Sequence, residues 1–110
     1  MIDWERVTEL RDEVGPDDFG EVVDLFIEEV ESTIAKLRSN LDLATLEDDL
    51  HFLKGAALNL GFQAFSDLCQ KGEHMAGAGQ AADVDLPSIL DCFDASRSAF
   101  IDELPGRLAA

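Results

Sequence analysis

Positive charge is scarce in this sequence. Lysine and arginine together number 8 against 24 aspartates and glutamates, which gives a formal net charge of −16 at pH 7. Binding to nucleic acid needs a basic surface that displaces counterions, and attachment to anionic lipid needs clusters of cations. The shortage of cations therefore excludes nucleic acid as a partner and argues against a membrane partner.

Long hydrophobic runs are also lacking. No apolar stretch approaches the roughly 18 residues needed to cross a bilayer. The N-terminus, MIDWERVTEL, is acidic and amphipathic, with neither a basic segment nor a cleavable apolar segment of the secretory kind. These features predict a cytoplasmic protein.

Metal and nucleotide motifs are missing as well. The two cysteines, Cys69 and Cys92, form no CxxC or Cys/His metal spacing, and their apolar surroundings predict two core residues. Di-iron bundles take Glu-x-x-His from each of two helices, whereas this chain has only Asp48-x-x-His51. The GAG at 77–79 lacks the lysine of a phosphate-binding loop. We expect no metal site.

What the sequence does contain is a helical apolar pattern along almost its whole length. Apolar residues make up 46% of 110 residues and recur at steps of three and four, without convincing strand alternation. The spacing predicts helices over 3–13, 18–40, 43–60, 62–76 and 86–103, with 77–85 as the only flexible connection. We expect residues 1–110 to form a single all-α domain, an antiparallel up-down four-helix bundle with a short additional N-terminal helix.

One segment of the third predicted helix, HFLKGAALNLGF at 51–62, contains an unusual combination of residues. His51 falls about 140° from the centre of the apolar stripe, and Gly55 lies almost opposite the core. A glycine inside a helix costs about 0.5–1 kcal/mol relative to alanine, so an outward Gly55 suggests that another molecule approaches there. An exposed imidazole beside the ammonium of Lys54 suits phosphoryl transfer, which depends on positioning and charge neutralisation.

The same segment resembles the signature of histidine-containing phosphotransfer (HPt) domains of two-component phosphorelays. That pattern reads roughly His-x-Leu-Lys-Gly, two small residues, x-Asn-Leu-Gly, and the family fold is a four-helix bundle with an additional N-terminal helix. The resemblance implies that His51 is phosphorylated on Nε2, that Lys54 helps to neutralise the phosphoryl group, and that Gly55 leaves room for a receiver domain. It also implies that Glu73, 22 positions after the histidine, bonds to imidazole Nδ1.

The resemblance further implies a phosphocarrier that is not an enzyme and has no autokinase activity, since the chain has no room for an ATP-binding domain. It would relay phosphoryl groups between aspartates of response-regulator receiver domains or hybrid histidine kinases, with Mg²⁺ supplied by the receiver and no cofactor of its own. Apolar residues near His51 are the expected docking surface. The candidates are Leu58, together with Val7, Leu10, Arg11 and Val14 on the edge of the first helix.

Two positions depart from the family pattern, and one alternative function stays open. Phe52 follows the histidine where a small or polar residue is usual, and Gly72 stands before Glu73 where a large aliphatic residue is common. The alternative is a helical adaptor that binds a receiver or kinase without carrying phosphate. Such an adaptor would have no need to keep His51, Lys54 and Gly55 together.

Overall fold

The chain folds into five α-helices, described by a computed structural model over residues 1–108. The helices are α1 (Trp4–Val14), α2 (Pro16–Ser39), α3 (Leu46–Leu60), α4 (Gln63–Gly77) and α5 (Leu86–Leu108), with one turn of 3₁₀ helix at Ala81–Asp83. No strand occurs among the described residues; Ile2 and Phe62 form one isolated antiparallel bridge. The predicted all-α bundle is confirmed.

Helix α3 is the central element of the fold. It packs most extensively on α4 and also contacts α1 and α2, and the additional helix α1 packs on both α2 and α3. Ion pairs Arg38–Asp94 and Arg97–Glu31 join α2 to α5. The core is formed by apolar side chains from all five helices and the α3–α4 turn: Val7, Leu10, Phe19, Val23, Val30, Ile34, Leu37, Leu46, Leu50, Leu53, Ala56, Ala57, Leu60, Phe62, Phe65, Cys69, Ile89, Phe93 and Phe100.

Several boundaries differ from the predicted ones. Helix α2 begins at Pro16, because proline is well suited to the first helical position, where its missing N–H needs no partner. Helix α3 begins at Leu46 instead of 43, and Leu43 is 46% exposed. The cause is a local turn in which the Asp42 side chain accepts a hydrogen bond from the backbone N–H of Ala44. Helix α5 continues to Leu108, beyond the predicted end at 103.

The two cysteines differ in burial. Cys69 on α4 is fully buried, which raises the pKa of its thiol to about 12, whereas Cys92 on α5 is only half-buried. Burial is therefore confirmed for Cys69 and holds only in part for Cys92. Among residues 1–108, no three or more histidine, cysteine or acidic side chains are grouped as metal ligands. No helix within that range is long and apolar enough to cross a membrane.

The turn between α3 and α4 is fixed by Gly61. Its φ of +77° is left-handed, and its backbone N–H caps the end of α3. The N-terminal segment pairs with this turn, since the N–H of Asp3 donates to the carbonyl of Gly61 at 2.6 Å. A Cβ added at Gly61 would lie 2.6 Å from the backbone oxygen of Asp3 and 3.0 Å from Cγ2 of Val7. The turn that places α4 against α3 therefore requires glycine.

We expect Gly61→Ala to lower the free energy of unfolding by about 2–4 kcal/mol, because left-handed strain and the contact with Asp3 add together. Urea unfolding followed by circular dichroism measures this change. Gly20→Ala is the matched control, since a Cβ there meets nothing within 4 Å and α2 is regular helix. The control should stabilise the protein by about 0.5–1 kcal/mol. Equal effects of the two substitutions would contradict this description of the turn.

Candidate functional site

His51 lies in the middle of α3 with its side chain 69% exposed. The outward orientation predicted from the apolar spacing is therefore confirmed. Leu50 and Leu53, on either side of it in sequence, are fully buried and fix the rotation of α3 about its axis. The imidazole thus sits on a rigid, packed helix while remaining accessible to another molecule.

Gly55 occupies the next turn of the same exposed face. A Cβ built on it meets no heavy atom within 4 Å, so nothing inside the described protein requires a glycine here. Leu58, one turn further on, is 46% exposed. We call His51, Gly55 and Leu58 the outer stripe of α3; it offers an imidazole, an open backbone and an apolar side chain to a partner.

Glu73 on α4 contacts the imidazole directly. Its Oε2 lies 2.9 Å from Nδ1 of His51, the contact that the resemblance implied. The close approach of α4 depends on Gly72, where an added Cβ would meet Leu50 Cδ1 at 2.9 Å and Ile89 Cδ1 at 3.2 Å. The missing side chain at Gly72 therefore lets α4 pack closely on Leu50 and Ile89 at this position, and α4 continues through it to Gly77.

Lys54 contacts the same carboxylate. Its Nζ lies 2.7 Å from Oε1 of Glu73, and the two side chains are 24% and 20% exposed. The Lys54 ammonium, and after it the hydrogen bond with His51, holds the pKa of Glu73 below its usual value, although partial burial acts in the opposite direction. Glu73 is therefore ionised at neutral pH, and it loses its charge at a lower pH than an ordinary glutamate does.

The arrangement has a clear chemical consequence for the imidazole. A carboxylate has no proton to give, so Nδ1 of His51 donates its N–H to Glu73. The neutral ring then carries its lone pair on Nε2, which is the nitrogen that can attack an electrophile. An ionised partner at Nδ1 also stabilises positive charge that develops on the ring during such an attack.

The chain matches a known protein family over most of its length. A family model described as Hpt domain matches residues 21–104, which covers most of α2 and extends into α5. The chain belongs to the Hpt domain family. Searches of curated proteins and of solved structures gave no match. As an Hpt domain, the chain has a phosphotransfer role in two-component signalling and belongs to a family of phosphocarriers that interact with receiver and kinase domains.

Two residues of the expected docking surface of this Hpt domain are buried in the core. Val7 and Leu10 are only 1% and 5% exposed, because α1 has a single apolar face and that face packs on the core. They cannot contact a partner in the folded protein, so their assignment as docking residues is wrong. Val14 is half-buried against the core, Arg11 is half-exposed, and Leu58 is well exposed.

The sequence did not predict the ion pair between Lys54 and Glu73. It placed Lys54 beside His51 as a cation for the phosphoryl group, whereas the structure shows the ammonium on the carboxylate. Spacing places Lys54 near the imidazole, since it follows His51 by three positions on α3. The position of Glu73 near Nδ1 was expected only from the family resemblance. Phe52, 41% exposed beside the histidine, is a further apolar side chain near the outer stripe of α3.

Proposed function

We propose that this Hpt domain relays a phosphoryl group between aspartates of receiver domains, or of hybrid kinases, through a phosphohistidine at His51. The observation that carries the proposal is the exposed imidazole whose Nδ1 is bonded to the carboxylate of Glu73. That bond leaves Nε2 as the free nucleophile on the solvent side. Gly55 provides the space through which the partner's aspartyl phosphate would approach.

In the transfer step, the lone pair of Nε2 forms a bond to phosphorus while the bond between phosphorus and the aspartyl oxygen breaks. The aspartate leaves as a carboxylate, and the Nδ1 proton stays on the ring, held by Glu73. Onward transfer reverses these events on the aspartate of the next receiver. Positioning and charge neutralisation make up most of the catalysis in such a transfer. Lys54 would help to neutralise the phosphoryl oxygens, and Mg²⁺ would come from the receiver.

The donor is another protein, because the chain has no nucleotide-binding motif with which to phosphorylate itself. Incubation with ATP alone is therefore expected to leave the protein unlabelled. Incubation with radioactively phosphorylated receiver domains is expected to move the label onto this chain and, after addition of a second receiver, off it again. Binding of a receiver without any exchange of phosphate would favour the adaptor function instead.

Docking is expected to rely on apolar contact around the outer stripe of α3, with Leu58 at one end of the stripe and with Arg11 and Val14 of α1 as further candidates. With a net charge of −16, long-range attraction to an acidic receiver is absent. Raising the salt concentration from low to moderate should weaken binding by less than about threefold. Calorimetry at several ionic strengths measures this, and a steep loss of affinity with salt would contradict an apolar interface.

A further inference from the structure

One carboxylate at the site serves two donors. Oε2 of Glu73 accepts from Nδ1 of His51, and Oε1 lies against the ammonium of Lys54. Nδ1 and Nε2 flank Cε1 and point in widely divergent directions in the ring plane, so the carboxylate and its ammonium are on the Nδ1 side. The attacking Nε2 faces the other way. In the unphosphorylated protein, Lys54 is therefore engaged away from the position that a phosphoryl group would occupy.

We propose that Lys54 changes partner when His51 is phosphorylated, leaving Glu73 for the phosphoryl oxygens. The proposal rests on the function proposed above. A phosphoryl group carries nearly two negative charges at neutral pH, against one on a carboxylate. The lysine side chain is long and flexible, and it begins three residues after His51 on the same helix, within reach of either ring nitrogen. The phosphoryl group, as the more highly charged anion, therefore binds the ammonium in place of Glu73.

The exchange has a consequence for the bound phosphate. Once Lys54 has left, the charge of Glu73 is no longer shared and acts on the Nδ1 proton alone. A proton held at Nδ1 makes the ring a better leaving group, because the electrons of the breaking P–N bond return to Nε2 and the ring leaves as neutral imidazole instead of an anion. Phosphorylation of His51 thus favours the later transfer of the phosphoryl group to the next receiver, as the role of a phosphocarrier requires.

The exchange is tested by NMR on the full chain with labelled side chains. Phosphoramidate serves as the phosphodonor, so no receiver is needed: a P–N bond to Nε2 forms as the donor's own P–N bond breaks and ammonia leaves. Spectra are recorded in alkaline buffer, where a phosphohistidine persists. The readouts are the carboxyl carbon of Glu73 and, in the wild type, the side-chain nitrogen of Lys54. The variants are Lys54→Met and, as a matched control, Lys71→Met, which removes a lysine that neighbours Asp85 instead.

Phosphorylation of the wild type and of Lys71→Met is expected to move the Glu73 carboxyl signal most of the way to its position in unphosphorylated Lys54→Met. In Lys54→Met itself, phosphorylation should move that signal only slightly. A displacement of equal size with and without Lys54, or an unchanged Lys54 nitrogen in the wild type, would overturn the exchange while leaving the relay function intact. If phosphoramidate does not label His51, a phosphorylated receiver is used as the donor and the same signals are recorded. Failure of both donors to label His51 would overturn the relay function and the exchange together.

Discussion

Gly55→Gln is expected to reduce phosphotransfer by on the order of 100-fold while the protein remains folded. A side chain at this position points into open space in the free protein, since a Cβ there meets nothing within 4 Å. In the complex it would occupy the volume through which the aspartyl phosphate must come within about 3–3.5 Å of Nε2. The transfer rate and the thermal unfolding temperature are to be measured on the same preparation.

Stability should move in the opposite direction to activity. Replacing a mid-helix glycine removes a backbone-entropy penalty, so the unfolding temperature should hold or rise, and Gly55→Ala should stabilise by about 0.5–1 kcal/mol. Gly20→Gln is a suitable control, because it adds the same side chain at an open position on α2. If Gly55→Gln unfolds the protein, the outward orientation of Gly55 is wrong. Normal transfer by a folded Gly55→Gln protein would show that Gly55 does not clear the approach to His51.

His51→Gln is expected to abolish phosphorylation altogether, because glutamine has no ring nitrogen to act as the nucleophile. The fold should be preserved, since the imidazole is 69% exposed and bonds to the side chain of Glu73. The change in the free energy of unfolding should stay within about 1 kcal/mol. Label transfer from a phosphorylated receiver and far-ultraviolet circular dichroism test both parts.

The other histidine provides the control for this substitution. His74 lies on α4 and is exposed, so His74→Gln removes a second exposed imidazole while leaving the contact between Nδ1 of His51 and Glu73 in place. It should accept phosphate at close to the wild-type rate. Retention of label by His51→Gln, or its loss in His74→Gln, would mean that the phosphorylated residue has been assigned wrongly.

The rotation of α3 could be predicted from sequence because its apolar residues repeat at regular steps. Leu46, Leu50, Leu53, Ala57 and Leu60 are all buried, and that pattern alone turns His51 and Gly55 outward. The predicted start of the helix failed because Leu43 fits the repeat equally well, while the turn at Asp42 competes with helix there. A periodic pattern therefore fixes the face of a helix more reliably than its ends.

Contacts between helices were harder to predict than orientation within a helix. The short helix α1 has one apolar face, and the sequence analysis assigned Val7 and Leu10 on that face to the docking surface. Both residues are buried in the core instead. The approach of Glu73 to Nδ1 was expected only from the family resemblance, because it depends on the Gly61 turn and on the packing at Gly72. The choice of Lys54 between two anions depends on tertiary geometry that no spacing in the sequence reveals.

Identification of the phosphorylated atom in the wild-type protein tests the central claim most directly. After transfer from a phosphorylated receiver, ³¹P NMR and peptide mass spectrometry should find one phosphoryl group, on Nε2 of His51, labile in acid and comparatively stable in base. This result follows from an imidazole whose Nδ1 is occupied by Glu73 and whose Nε2 is free. A phosphoryl group on Nδ1, on His74 or on a carboxylate would contradict the account.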